Sequence, residues 1–94
     1  SAMSEYSMLA YYVYILVCSD GSYYTGYTSN LGLRIKQHKE GLGARYTRMR
    51  RAGRLIYAER FSSRREAMSV ERKIKAMSRS QKDQLINSPR NLVM

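Results

Sequence analysis

Six of the nine tyrosines fall between residues 11 and 27: Tyr11, Tyr12, Tyr14, Tyr23, Tyr24 and Tyr27. Tyrosine packs well in strands, but a phenol can also take or give a proton at a reacting atom. The single histidine, His38, stands four residues after Arg34, so the two share one side of a helix. An arginine and a histidine beside a tyrosine-lined surface could hold a phosphate and move a proton. Few acids are free for chemistry. Asp20 falls in a turn, Glu66 and Asp83 in capping boxes, Glu5 near the start and Glu40 at a helix end, which leaves Glu59 and Glu71. No carboxylate pair suits a two-metal cluster or a glycosidase. Any metal would have one protein carboxylate and several waters, an arrangement that magnesium tolerates.

The elements that must position these groups follow from local pattern. Tyr11 to Val17 is apolar on both alternating faces, as in a strand covered on both sides. Ser19-Asp20-Gly21 is a turn signal, and Ser22 to Tyr27 is the returning strand of a hairpin. Ser29 or Asn30 caps a helix running to about Glu40, stopped by Gly41. Gly41 to Arg54 is a loop rich in arginine, and Leu55 to Phe61 a third strand. Ser63-Arg64-Arg65-Glu66 opens a second helix ending near Met77, and Ser80-Gln81-Lys82-Asp83 a short third one closed by Pro89. Ala67, Val70, Ile74 and Met77 form the buried stripe of the second helix. Glu71 lies roughly 40° around that helix from Ala67, at the stripe's edge. It could equally form an exposed ion pair with Arg72 or Lys75. Gly26, inside a strand, marks either a bulge or a close approach to the backbone.

The expected fold is α+β: a three-stranded antiparallel sheet, made of the β-hairpin plus a third strand, flanked by about three helices. Residues 1–10 are a lead-in whose Ser1-Ala2-Met3 looks like an expression scar, residues 11–87 one domain, and residues 88–94 a tail. Seventeen Lys+Arg against 7 Asp+Glu give a net charge of +10, which favours a polyanionic partner. Twelve arginines against five lysines suit bidentate phosphate contacts. The apolar run Met8 to Cys18 is shorter than the roughly 20 residues that span a bilayer. One cysteine and one histidine exclude an internal disulfide and a four-ligand zinc site, as expected of a reduced, cytoplasmic protein.

In their order these positions resemble the GIY-YIG nuclease superfamily, above all its small stand-alone bacterial members. Tyr12-Val13-Tyr14 is similar to the first half-motif and Tyr24-Thr25-Gly26 to the second. Arg34, His38 and Glu71 follow where the family keeps its arginine, histidine and metal-binding glutamate. "GLGARYTR" (Gly41 to Arg48) and "ERKIKAMSRSQK" (Glu71 to Lys82) also resemble stretches of those members. The chain departs at Tyr12, where the family name has glycine, at Thr25 in place of isoleucine, and at Tyr27, where several relatives have lysine. A late asparagine of some relatives could correspond to Asn87 or Asn91.

The resemblance implies DNA phosphodiester hydrolysis with one divalent metal ion, Mg²⁺ or Mn²⁺. Tyr14 or Tyr24 would receive the proton of the attacking water, which needs a depressed phenol pKa. Arg34 would stabilise the phosphate, His38 would move a proton or bind phosphate, and Glu71 would hold the metal. Arg45, Tyr46, Thr47, Arg48, Arg50, Arg51, Lys75, Arg79 and Lys82 would contact nucleic acid, largely independent of sequence. Exposed tyrosines that stack on bases favour single-stranded or structured DNA. The rival readings are a module that binds nucleic acid without cutting it and a basic subunit of a nucleoprotein assembly. No membrane or protein partner is implied.

One geometric demand follows. A two-residue turn at Asp20-Gly21 would place Tyr14 and Tyr24 on opposite faces of the sheet. A three-residue loop, Ser19-Asp20-Gly21, pairs Cys18 with Ser22 and Leu16 with Tyr24, which puts both phenols on one face. Glycine in third place suits a type I turn with a G1 bulge, so the three-residue loop is expected.

Overall fold

The computed structural model describes residues 10–40 and 52–93. Strand β1 spans Tyr11–Cys18 and β2 spans Tyr23–Thr28. Helix α1 covers Leu31–Lys39, strand β3 Ala52–Phe61, helix α2 Arg64–Lys75 and helix α3 Arg79–Ile86. The strands form one antiparallel sheet in the order β2-β1-β3. The central place of β1 explains its apolar character on both faces, and Val13, Tyr14, Ile15 and Leu16 are all buried.

The hairpin has the three-residue loop. Cys18 N–H donates to the Ser22 carbonyl at 2.8 Å, Gly21 N–H donates to the Cys18 carbonyl at 2.9 Å, and Gly21 has φ +84°. Only glycine takes that conformation without strain. Asp20 locks the turn by accepting from the Ser22 N–H at 2.9 Å and from its hydroxyl at 2.5 Å. The register is then Leu16 against Tyr24 and Tyr14 against Gly26.

One face of the sheet carries the apolar core. Val13, Ile15 and Tyr57 pack against Ala67 and Ile74 of α2, with Val70, Met77, Leu85 and Ile86 around them. The spacing of the apolar residues on α2 is the expected one. Ser63 caps α2 by accepting from the Glu66 N–H at 3.1 Å. The helix ends slightly early, with Ala76 as its C-cap.

Three expectations change. β3 begins at Ala52, so Arg54 belongs to the sheet and not to the loop before it. The cap of α3 is Ser78, in a box with Gln81, not Ser80 with Asp83. The sequence offers serine at both positions, and the earlier one suits the tight approach from α2. Asp83 is thereby released and accepts from the Tyr23 hydroxyl at 2.6 Å. The segment after Asn87 also has a structural task. Asn91 accepts from Ala58 N–H at 3.1 Å and donates to the Ile56 and Ile86 carbonyls, both at 2.9 Å, while Leu92 N–H donates to the Ala58 carbonyl. These bonds cover the outer edge of β3, which would otherwise offer unpaired backbone groups.

Thr25 lies opposite Ile15 on the core face, and its buried hydroxyl has no hydrogen-bond partner among the described residues. A desolvated, unpaired hydroxyl costs about 1–3 kcal/mol. Thr25→Val should therefore raise the unfolding free energy by about 1 kcal/mol, read from the denaturant midpoint at unchanged slope.

Candidate active site

The opposite face of the sheet holds the residues singled out for chemistry. Tyr14 and Tyr24 share this face, their ring centroids 6.4 Å apart, as the hairpin register requires. α1 lays His38 over them. Asn30 starts that helix by accepting from Leu33 N–H at 3.1 Å, and the two turns that follow bring His38 onto the sheet, 2 % exposed. Its ring lies 5.9 Å from Tyr14 and 5.1 Å from Tyr24, centroid to centroid. The Tyr14 hydroxyl meets His38 Nε2 at 3.0 Å.

Gly26 makes room for this contact. A Cβ at residue 26 would stand 2.6 Å from the Tyr14 hydroxyl oxygen and 2.8 Å from Cζ, closer than atoms can approach. The glycine thus marks a close approach, by the ring of its cross-strand partner, and not a bulge.

Arg34, one turn before His38, brings its guanidinium within hydrogen-bonding reach of the Tyr14 oxygen, and its charge acts on Tyr24 and His38 as well. Glu71 acts on both phenols from α2. The two remaining acids differ in their partners. Glu59 accepts the Tyr57 hydroxyl at 2.6 Å in the core-side layer, while the Glu71 charge acts on both phenols. Its side chain is 16 % exposed and also lies 3.7 Å from Lys75 Nζ, so the ion pair and the site position coexist. At 3.7 Å and with the Lys75 end exposed, the pair contributes little stability.

The electrostatics run against one expectation. Burial, with the Tyr24 phenol close by and Arg34 opposing, pushes the Tyr14 pKa well up. Burial likewise raises that of Tyr24, despite Arg34. Neither phenol is depressed, because the loss of water around them outweighs the Arg34 charge. Burial and the Arg34 charge lower the His38 pKa. At neutral pH the phenols are protonated and the imidazole is neutral. The Tyr14 hydroxyl and His38 Nε2 lie at hydrogen-bond distance, and a neutral imidazole with its proton on Nδ1 would accept from the phenol.

The other expected contact residues divide. Arg45, Tyr46, Thr47, Arg48, Arg50 and Arg51 lie outside the described residues. Lys75 stands beside Glu71. Lys82 is half-buried on α3. Arg79 is engaged within the fold: its guanidinium carbon is 3.5 Å from the centre of the Tyr23 ring, Nη1 donates to the Gly21 carbonyl at 3.0 Å, and Nε lies 3.6 Å from Asp83. Asn91 is consumed by backbone groups of β3 and α3, which leaves it no role at the phenols. Sequence reasoning missed Tyr57, whose pairing with Glu59 across a two-residue spacing on one strand face was the available signal.

Two clustered tyrosines on a small antiparallel sheet, with an arginine and histidine from one helix and a glutamate from another, define the layout of a nuclease-like catalytic domain. The chain belongs to the GIY-YIG family: the model of the GIY-YIG catalytic domain matches residues 10–84. It is similar to a UPF0213 protein of Clostridium perfringens, 56 % identical over 77 residues that cover 82 % of this chain and 83 % of that one. Two solution NMR structures resemble it. The UPF0213 protein BH0048 of Bacillus halodurans has a TM-score of 0.57 at 48 % identity, covering 87 % of each chain. The protein EF2693 of E. faecalis has a TM-score of 0.58 at 40 % identity, covering 82 % of each.

The lowered His38 pKa sets a sign for stability against pH. The unfolded chain takes up a proton near pH 6.5 and the folded one only below that. The His38 contribution is therefore complete above about pH 6.5 and declines as pH falls from there toward the folded pKa. Denaturant titrations should show wild-type stability declining over this window and a shallower decline in His38→Gln. Equal slopes in the two proteins would contradict a neutral, buried His38.

Proposed function

We propose that the protein is a divalent-metal-dependent endonuclease that hydrolyses phosphodiester bonds in DNA. The observation that carries the reading is the buried Tyr14–His38 hydrogen bond with Arg34 on the phenol oxygen, placed beside Glu71.

The raised phenol pKa favours a relay over a standing phenolate. A water attacking phosphorus gives its proton to the Tyr14 oxygen as Tyr14 passes its own proton to His38 Nε2. The neutral His38 of the resting protein offers the free acceptor that this exchange needs, while burial and the Arg34 charge limit its basicity. Tyr24 flanks the same imidazole and is suited to orient the water. Arg34 stands where negative charge grows on the phosphate oxygens. No group of three His, Cys, Asp or Glu side chains able to hold a metal occurs among the described residues. One rim carboxylate fits a hard cation that keeps most of its waters, such as Mg²⁺ or Mn²⁺, and Glu71 would hold it. Such an ion would polarise the phosphate and steady the departing oxygen. The half-buried tyrosines suit single-stranded or structured DNA, on which they can stack. The buried lone Cys18 agrees with a reducing, cytoplasmic setting.

With labelled single- and double-stranded DNA, the wild type should cut in Mg²⁺ or Mn²⁺ and stop with chelator. Glu71→Ala and Tyr14→Phe should each lose at least about 100-fold in cleavage rate while binding DNA within about 3-fold of wild type. Tight, salt-sensitive binding without cleavage under any metal would instead identify a binding module.

A further inference from the structure

A second group of polar side chains borders the site on its far side. Tyr11, Tyr27, Thr28, Ser29, Arg34 and Arg64 line a cleft of about 410 Å³, within the size range that encloses small ligands. Two guanidiniums enter it and, among the described residues, no carboxylate lines it. Glu66, the nearest acid in sequence to Arg64, is occupied with the Ser62 and Ser63 hydroxyls at the cap of α2. Both helices that flank the cleft begin there. Ser29 and Asn30 lead into α1, and Arg64 is the first residue of α2, so the positive ends of two helix dipoles converge on it.

Arg64 is held in a defined pose although it is exposed. Its Nε donates to the Tyr27 hydroxyl at 3.2 Å, and the guanidinium carbon lies 6.0 Å from that ring's centre. Among the described residues this is its only hydrogen bond, which leaves both terminal NH₂ groups for an outside acceptor. Arg34 belongs at once to the cleft and to the phenol site, so the two are contiguous. Consecutive phosphates of one nucleic-acid strand would thus meet one arginine each.

We propose that this cleft is a second phosphate subsite, in which Arg64, oriented by Tyr27, holds the backbone phosphate next to the one at Tyr14 and His38. The proposal rests on the nuclease reading for its substrate, and it assigns the binding role to a residue of α2 outside the arginine-rich loop. Tyr27 is a positioning residue: its hydroxyl fixes Arg64 and need not touch the strand.

The test uses the intact protein in chelator, with a labelled single-stranded oligonucleotide followed by fluorescence anisotropy over a range of salt. Arg64→Ala should weaken binding about 5- to 10-fold near 0.1 M salt and reduce the slope of log K against log salt by about 0.7. Tyr27→Phe, which alters no charge, should weaken binding about 2- to 3-fold. Lys73→Ala removes an exposed charge on the same helix away from the cleft and should change binding less than 2-fold. Titration of thymidine 3′,5′-bisphosphate should shift the amide NMR signals of Tyr27, Thr28 and Ser29 and the Nε–H of Arg64. Equal losses in Arg64→Ala and Lys73→Ala, or shifts confined to other residues, would overturn the subsite. DNA cleavage with unimpaired Arg64→Ala binding would sink the subsite and leave the nuclease standing. Probe shifts in the cleft without cleavage in any metal would do the reverse.

Discussion

A phenol buried in the middle of a sheet must find a partner for its hydroxyl, and in this fold that partner is His38. Tyr14 has no contact with solvent, and its hydroxyl lies 3.0 Å from the imidazole. Much of the molecule exists to make this contact possible. The turn sets the register that puts Gly26 opposite Tyr14. Gly26, lacking a side chain, lets the ring lie across β2. The Asn30 cap fixes where α1 begins, and hence which of its residues faces the sheet. Arg34 follows automatically, since it stands one turn earlier on the same side.

The two faces of the sheet are differently built for different ends. The α2 and α3 face is apolar and holds the fold together through Val13, Ile15, Ala67 and Ile74. The α1 face buries polar groups, which is destabilising unless they satisfy one another. Desolvation then shapes their chemistry: it keeps the phenols protonated and the imidazole neutral. A proton relay needs that combination of a filled donor beside an empty acceptor. The Glu71 charge acts on both phenols from α2, the helix that also carries Ala67 and Ile74 of the core.

The edges of the sheet show a similar division. The β3 edge is closed by Asn91 and the segment after it, and serves stability. Tyr14 leans toward the β2 edge, and the cleft of Arg34 and Arg64 lies beside Tyr27 and Thr28 of that strand. At the hairpin end, Arg79, Asp83 and Tyr23 tie α3 to the turn. That tie holds the neighbour of Tyr24 in place, and it explains why a basic residue that sequence assigns to nucleic acid is engaged inside the protein.

Local sequence determined a great deal here: the order of the elements, the three-residue turn and the inward course of α1, while the set of Tyr14, Tyr24, Arg34, His38 and Glu71 came from the resemblance to a known family. The local features depend on glycine conformation, capping and helical or strand period, all of which act over a few residues. Tertiary structure alone decided the direction of the phenol pKa, the engagement of Glu59 by Tyr57, and the release of Asp83 to Tyr23. It also decided the use of Asn91 as an edge clasp and the pose of Arg64 on Tyr27. The Tyr23–Asp83, Ala58–Asn91 and Arg64–Tyr27 contacts span 60, 33 and 37 residues of sequence. No local period encodes such pairs. Burial and hydrogen-bond partners across that distance exist only once the sheet and helices have packed, and the protonation of the site follows from them.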